Sequence, residues 1–301
     1  MLSRRYLLLV LLLFLAGCTP QQPASQQPKT SSNKFTVDGI QREVALKQPA
    51  KRVVAIGPAA VEIMFALGSS DLLVGRDDYA DFPPEAKKVA IAGTYQGPNV
   101  EQCIALHPDL VIVQFEGMDK ARADEWQSKI GAPVAIVGAI TVKEAGAEIQ
   151  KMADWIGRSE KAKTLAAPLA KPTVVNWKKS RAFIEVGRSP LFTAGPNTLV
   201  GNAVEVSGFE NVAKVRGYQA YNLENLTVDN PDVYIVPTKK SQAETLRELR
   251  ANPALSKLKC VQKGDVVTVD GDLLLRPGPR LKDGLARLSR ESLKLANGSK
   301  S

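Results

Sequence analysis

Apolar positions along this chain gather into short runs, and stretches of helical periodicity separate them. Residues 52–56, Arg-Val-Val-Ala-Ile, predict a buried strand. Gly57-Pro58 turns that strand into a helix with Val61, Met64, Phe65 and Leu67 on its apolar face, and Gly68 ends it. Further strands are predicted at 72–75, 110–113 and 134–137, and a helix near 99–106 precedes the strand at 110–113. Strands alternating with helices imply a parallel sheet covered on both faces. Ahead of this grammar, residues 35–46 alternate apolar and polar around Asp38-Gly39, a β-hairpin signal.

Thr141-Val142-Lys143-Glu144 fits a capping box, after which Ala145, Ile149, Met152, Ala153 and Ile156 repeat at helical spacing. Ser159 starts a second helical stretch that should run to Pro168 or Pro172, because each proline removes a donor and crowds the preceding turn. The α/β pattern then resumes, with strands at 182–186, 232–236 and 266–269 and helices near 199–206 and 241–250. Leu281, Leu285, Leu288 and Leu295 line a closing amphipathic helix. Both halves carry one phrase, His107-Pro108-Asp109-Leu110-Val111 and Asn230-Pro231-Asp232-Val233-Tyr234. A phrase repeated in two halves predicts two lobes with a cleft between them; on this pattern alone an α/β enzyme stays open.

The start of the chain reads differently. Arg4 and Arg5 precede an apolar run at 6–14 that is too short to span a bilayer as a helix, and Leu15-Ala16-Gly17-Cys18 closes it. Small residues before a cysteine predict a cleaved lipoprotein signal peptide at 1–17, with acyl chains on Cys18 holding the mature protein outside the cytoplasm on a bacterial membrane. Residues 18–34, rich in Gln, Pro, Ser and Thr, predict a disordered tether. The rest divides into an N-terminal α/β lobe at 35–140, an interlobe helix at 141–180 and a C-terminal α/β lobe at 181–301.

Composition narrows the function classes. Forty Lys and Arg against 31 Asp and Glu give a net charge of +9, with acids dispersed among the cations. No Lys/Arg-rich run signals nucleic acid; the solvated basic surface would suit an anionic bilayer or an anionic ligand. His107 is the single histidine, which removes most metal-site and acid–base schemes and points to a capping role at a helix end. Cys103 and Cys260 fall in different lobes; two separate buried thiols are the expectation, and a bridge that would lock the lobes together is the alternative. There is no Gly-x-Ser-x-Gly elbow, no Gly-x-x-x-x-Gly-Lys loop and no Cys/His cluster. No catalytic residue, resident cofactor or metal centre stands out, and an enzyme would need carboxylates that converge in space; on composition and motifs alone a binding module and an enzyme both stay open.

Several phrases together resemble the periplasmic binding proteins of ABC importers for cobalamin, iron-siderophores and haem. They are residues 52–58 running to Glu62 and Ala66-Leu67-Gly68, then Tyr79-Ala80-Asp81-Phe82-Pro83-Pro84, then 93–101 (Gly-Thr-Tyr-Gln-Gly-Pro-Asn-Val-Glu). In the second half they are Leu191-Phe192-Thr193-Ala194-Gly195, Gly208-Phe209-Glu210-Asn211-Val212 and Arg276-Pro277-Gly278-Pro279-Arg280. The resemblance implies an α/β fold of two lobes with a ligand cleft between them, joined by a single long helix. It further implies a monomeric substrate-binding lipoprotein that captures a small metal chelate and delivers it to the importer's transmembrane subunits, without bond chemistry.

Spacing is nearest to the cobalamin binders, in which aromatic side chains hold the corrinoid. Carried over by position, the implied ligand-binding residues are Tyr79, Tyr95, Phe192 and Tyr218. Flat rings suit a planar macrocycle, and phenols can bond its peripheral amides or carboxylates. Tyr95 and Tyr218 stand where the cobalamin binders carry tryptophan, as does Leu273. Tyrosine also ligates ferric iron, so haem or a ferric siderophore is the alternative ligand. Arg76 and Arg216 lie near these segments and are candidates to pair with anionic ligand groups. Glu101 and Glu224, one per lobe, are the implied permease-docking residues.

Overall fold

A computed structural model describes residues 34–171 and 177–298. The expected signal peptide at 1–17, Cys18, the tether as far as residue 33, and Pro172 lie outside the described residues. The described chain begins with an antiparallel hairpin, β1 (Lys34–Val37) and β2 (Glu43–Leu46), whose connecting loop is folded around the Asp38 carboxylate. That carboxylate accepts the backbone N–H groups of Ile40 and Arg42 and also pairs with the Arg42 guanidinium.

Next come β3 (Val53–Ile56), β4 (Leu73–Asp77), β5 (Ile91–Thr94), β6 (Gly97–Pro98), β7 (Leu110–Gln114) and β8 (Val134–Val137), ordered β6-β5-β4-β3-β7-β8 in one sheet. All neighbours are parallel except β5 and β6. Helices α1 (Pro58–Ala66), α2 (Val100–Leu106) and α3 (Lys120–Ile130) connect the strands. Central β3 is buried along its whole length, as expected of an all-apolar strand with both faces covered. Gly75 in β4 has no room for a side chain: a Cβ there would sit 2.7 Å from the Ala92 Cβ and 2.8 Å from Leu106. Its absence lets α2 settle against the sheet.

The joint is two helices, α4 (Val142–Trp155) and α5 (Ser159–Ala170). The predicted capping box is present, with Thr141 and Glu144 satisfying each other's backbone N–H groups. Gly157, at φ +71°, reverses the chain after α4. A Cβ on Gly146 would lie 3.2 Å from Ala166 O, Ala170 N and Leu169 Cβ, so the beginning of α4 rests on the last turn of α5. The single long helix expected across the joint is thus a hairpin of two, and the left-handed glycine is the reason. Pro168 lies inside α5, which continues two residues past it.

The second half comprises β9 (Ser180–Arg188), β10 (Leu191–Ala194), β11 (Phe209–Asn211), β12 (Tyr218–Ala220), β13 (Val233–Pro237) and β14 (Val266–Val269). Its sheet runs β12-β10-β9-β13-β14, with β11 also paired to β9. The helices are α6 (Leu199–Val206), α7 (Leu223–Asp229), α8 (Gln242–Ala251), α9 (Lys259–Lys263) and α10 (Leu281–Gly298). Leu281, Leu285 and Leu288 are the buried stripe of α10. Cys103 and Cys260 are free and buried in separate lobes, and burial pushes both thiols up to about 11.

Candidate functional site

In the first sheet the carboxyl ends of β3, β4, β5 and β7 converge on one cavity of about 650 Å³. In parallel α/β sheets that end is where ligands sit, because the loops leaving the strands surround a crevice there. Asp77, at the end of β4, is buried and organises the floor. Its carboxylate accepts the Gly57 N–H and the Tyr79 N–H, each at 2.8 Å. Burial raises its pKa against the lowering pull of those two bonds. Gln114, at the end of β7, accepts the Ala59 and Ala60 N–H groups at the start of α1. The floor is therefore pinned before any ligand arrives.

Tyr79 and Tyr95 rise from this floor, 60% and 66% exposed, with ring centroids 6.3 Å apart and nearly perpendicular. Phe115 and Glu116, on the loop leaving β7, border the same cavity. They also border an adjoining one of about 280 Å³, whose other side is Leu199, Tyr218, Leu275 and Arg276 from the second half. The two cavities share Pro58, Gln114, Phe115, Glu116 and Arg276, so they form one interlobe cleft. The Tyr218 ring is 40% exposed, but its hydroxyl lies near Thr198 and Glu116; desolvation of the hydroxyl first, and the Glu116 charge second, push it up to about 12. It stays a neutral donor at ordinary pH. Burial also raises the Glu116 carboxyl.

An ion cluster closes one side of the cleft. Glu62 of α1, 2% exposed, pairs with Arg280, and also with Arg276 at 3.1 Å. Arg276 further meets Asp81 at 3.1 Å and Asp272 at 2.9 Å. Arg280 lies 3.6 Å over the Phe82 ring. A second tie is the Val142 N–H on Asn202 Oδ1 at 2.9 Å.

Of the four aromatic residues singled out from sequence, Tyr79, Tyr95 and Tyr218 meet at the cleft. Phe192 does not line it. It is half-buried on β10, opposite Gly187 on β9 and Ala220 on β12, beside a register shift between Phe192 and Thr193 that turns the strand away from the cavity loops. Neither flanking arginine lines the cleft: Arg76 is buried with a bond to the Asp77 carbonyl, and Arg216 is exposed. Sequence reading missed Phe115, Glu116 and Asp77, although their places at strand carboxyl ends were the available signal. Glu62, Arg276 and Arg280 stand within the family phrases, but no role for them was legible there.

Glu101 and Glu224 occupy matched places. Each is the second residue of a seven-residue helix, α2 or α7, and each is exposed. Asn99 and Asn222 cap those helices, accepting from Gln102 N and Glu224 N. His107 and Asn230 end them in the left-handed region at φ 46° and 42°, which bears out the capping role expected of His107. The following Asp109 and Asp232 each bond the start of a neighbouring strand, at Arg52 N and Arg181 N. The same two arginines return to the helix-end carbonyls of His107 and Asn230.

A family model for periplasmic binding proteins matches residues 53–273. A vitamin B12-binding protein of Salmonella typhimurium is 30% identical over 241 residues, 77% of this chain and 86% of that protein. An uncharacterized ABC transporter substrate-binding lipoprotein of Bacillus subtilis, YvrC, is 30% identical over 303 residues, 94% of each chain. Among solved structures, the periplasmic vitamin B12 binding protein BtuF of Vibrio cholerae aligns with a TM-score of 0.71 at 23% identity, covering 83% of this chain and 98% of that one. The periplasmic heme-binding protein RhuT of Roseiflexus sp. RS-1 aligns at 0.69 and 23%, covering 82% and 99%. At such identities the structures show a shared two-lobed fold and nothing finer. The chain belongs to the periplasmic binding protein family and is a substrate-binding protein, not an enzyme.

Proposed function

We propose that this protein captures cobalamin or a related corrinoid in the interlobe cleft and delivers it to an ABC importer. The observation that carries the reading is the aromatic lining of that cleft, with Tyr79, Tyr95 and Phe115 on one side and Tyr218 on the other. Such a lining offers flat apolar area at little rotamer cost and phenols for peripheral carboxamides. The relatives named for vitamin B12 favour the corrinoid; a heme-binding structural neighbour and one from an Fe3+-hydroxamate transport system support haem or a ferric siderophore as the second reading.

Delivery rests on Glu101 and Glu224, two exposed carboxylates on matched frames, which suit arginines on paired transmembrane subunits. The anchor in this reading is a lipid on Cys18, in keeping with the lipoprotein relative, and the protein works outside the cytoplasm as a monomer. No helix among the described residues is long and apolar enough to cross a membrane.

Titrating the mature protein with cyanocobalamin, haemin and a ferric hydroxamate tests the ligand, read by tryptophan quenching or calorimetry. The corrinoid should bind below micromolar concentration, and Tyr79→Ala with Tyr95→Ala should weaken it at least about tenfold. Submicromolar haemin with no corrinoid binding would transfer the assignment to haem. Charge reversal of Glu101 and Glu224 together should abolish uptake and leave ligand affinity intact; equal loss of both would refute docking.

A further inference from the structure

The charges around the cleft run against the charge of the whole chain. The chain carries +9, yet the charged residues lining the two cavities are Asp77, Glu116 and Arg276. Arg276 is already met by three carboxylates, from Glu62, Asp81 and Asp272, so its charge is spent within the protein. Asp77 has both oxygens on backbone N–H groups of the floor. Glu116 borders both cavities, and among its surroundings is the Tyr218 phenol of the opposite lobe. A ligand carboxylate entering the middle of the cleft would face Glu116 with no uncommitted cation among the lining residues to receive it. Glu116 is exposed in the open cleft, and a ligand that covers it would displace its water and bring like charges together where they are poorly screened, which is penalised.

Resting on the reading of the cleft as a chelate site, we infer that Glu116 makes it select against anionic ligands. The substrate is a neutral or cationic metal chelate, rimmed by carboxamides or other uncharged donors that a carboxylate can accept from. A macrocycle bearing free carboxylates is the wrong class.

Haemin and its dimethyl ester present the same iron porphyrin with and without two carboxylates, which isolates the charge. Both are titrated at low salt into the mature wild-type protein, Glu116→Gln and Glu116→Arg. The ester should bind about tenfold tighter than haemin to wild type. The ratio should shrink toward one in Glu116→Gln, invert in Glu116→Arg, and shrink in wild type as salt rises. Esterification also adds apolar area, so the change in the ratio on altering Glu116 decides the matter. Haemin matching or exceeding the ester in wild type overturns the inference, as does a ratio that neither variant moves. Cyanocobalamin and a ferric hydroxamate are run alongside. If none of the four probes binds, the chelate cleft falls and the charge filter with it. If cyanocobalamin binds while the ester and haemin stay equal in all three proteins, the filter alone falls.

Discussion

The two lobes are alike where they carry α2 and α7 and unlike where they face each other. The two helices have the same length, an asparagine N-cap, a glutamate at the second position, a left-handed C-cap and a following Pro-Asp. The cleft shows no such echo: the first half supplies three aromatic rings and two carboxylates, the second one phenol, two leucines and an arginine. A frame used twice suits a partner with two like docking points. An asymmetric lining suits a ligand whose faces differ. The repeat is thus a matter of backbone frame, and the difference a matter of which side chains the loops present.

Cutting what joins the halves should have the largest effect. Glu62 is buried in the first half and carries both Arg276 and Arg280 of the second. Its hydrogen bond to Arg280 holds that guanidinium's pKa above the ordinary arginine value, against the lowering effect of burial. Glu62→Ala would leave Arg280 without its carboxylate and Arg276 with only Asp81 and Asp272, which should cost about 3 kcal/mol in urea unfolding. Unfolding of the lobes in separate steps would accompany it. A loss below about 1 kcal/mol would mean that the cluster is solvated and does not tie the lobes.

The matched aspartates sharpen the comparison at a smaller scale. Asp109 accepts two N–H groups, from Lys51 and Arg52, whereas Asp232 accepts one, from Arg181. Hydrogen bonds to a charged acceptor contribute more than neutral ones, and these sites are partly solvated. Asp109→Ala should therefore cost about 2 kcal/mol and Asp232→Ala about 1 kcal/mol, measured as shifts in the urea midpoint at constant slope. Equal costs would show that the second N–H of the first lobe is satisfied by water just as well.

These matched frames were legible in the sequence because their determinants are local: a cap, a turn and an apolar run lie within a dozen residues. Strands β3, β7 and β13 were legible for the same reason, as continuous apolar runs buried on both faces. Strand β12 was not, since all three of its residues are exposed and carry no burial pattern. Helix α3 buries only Ala123, Trp126 and Ile130 among charged neighbours, too thin a stripe to stand out. The chain reversal between α4 and α5 depends on Gly157 and on the space at Gly146, which sequence periodicity does not record. At the cleft, family phrases pointed to the tyrosines. The pairing of Glu62 with Arg276 spans 214 positions and is set by tertiary structure alone.

The smallest effects are expected at the caps, and there the halves should agree. Asn99 and Asn222 each satisfy one free N–H at a helix start, at 3.0 Å and 2.7 Å. Replacing either by alanine should cost about 1 kcal/mol, and replacing it by glycine only a few tenths, because glycine leaves the N-cap backbone and its hydration available. Both helices are only seven residues long, so a lost cap removes a large share of their local order. If alanine at 99 and at 222 gives matching losses in thermal midpoint while glycine spares both, the two frames are energetically as well as geometrically equivalent. A loss confined to one lobe would make the likeness one of shape only, and Glu101 and Glu224 would then sit on supports of unequal firmness.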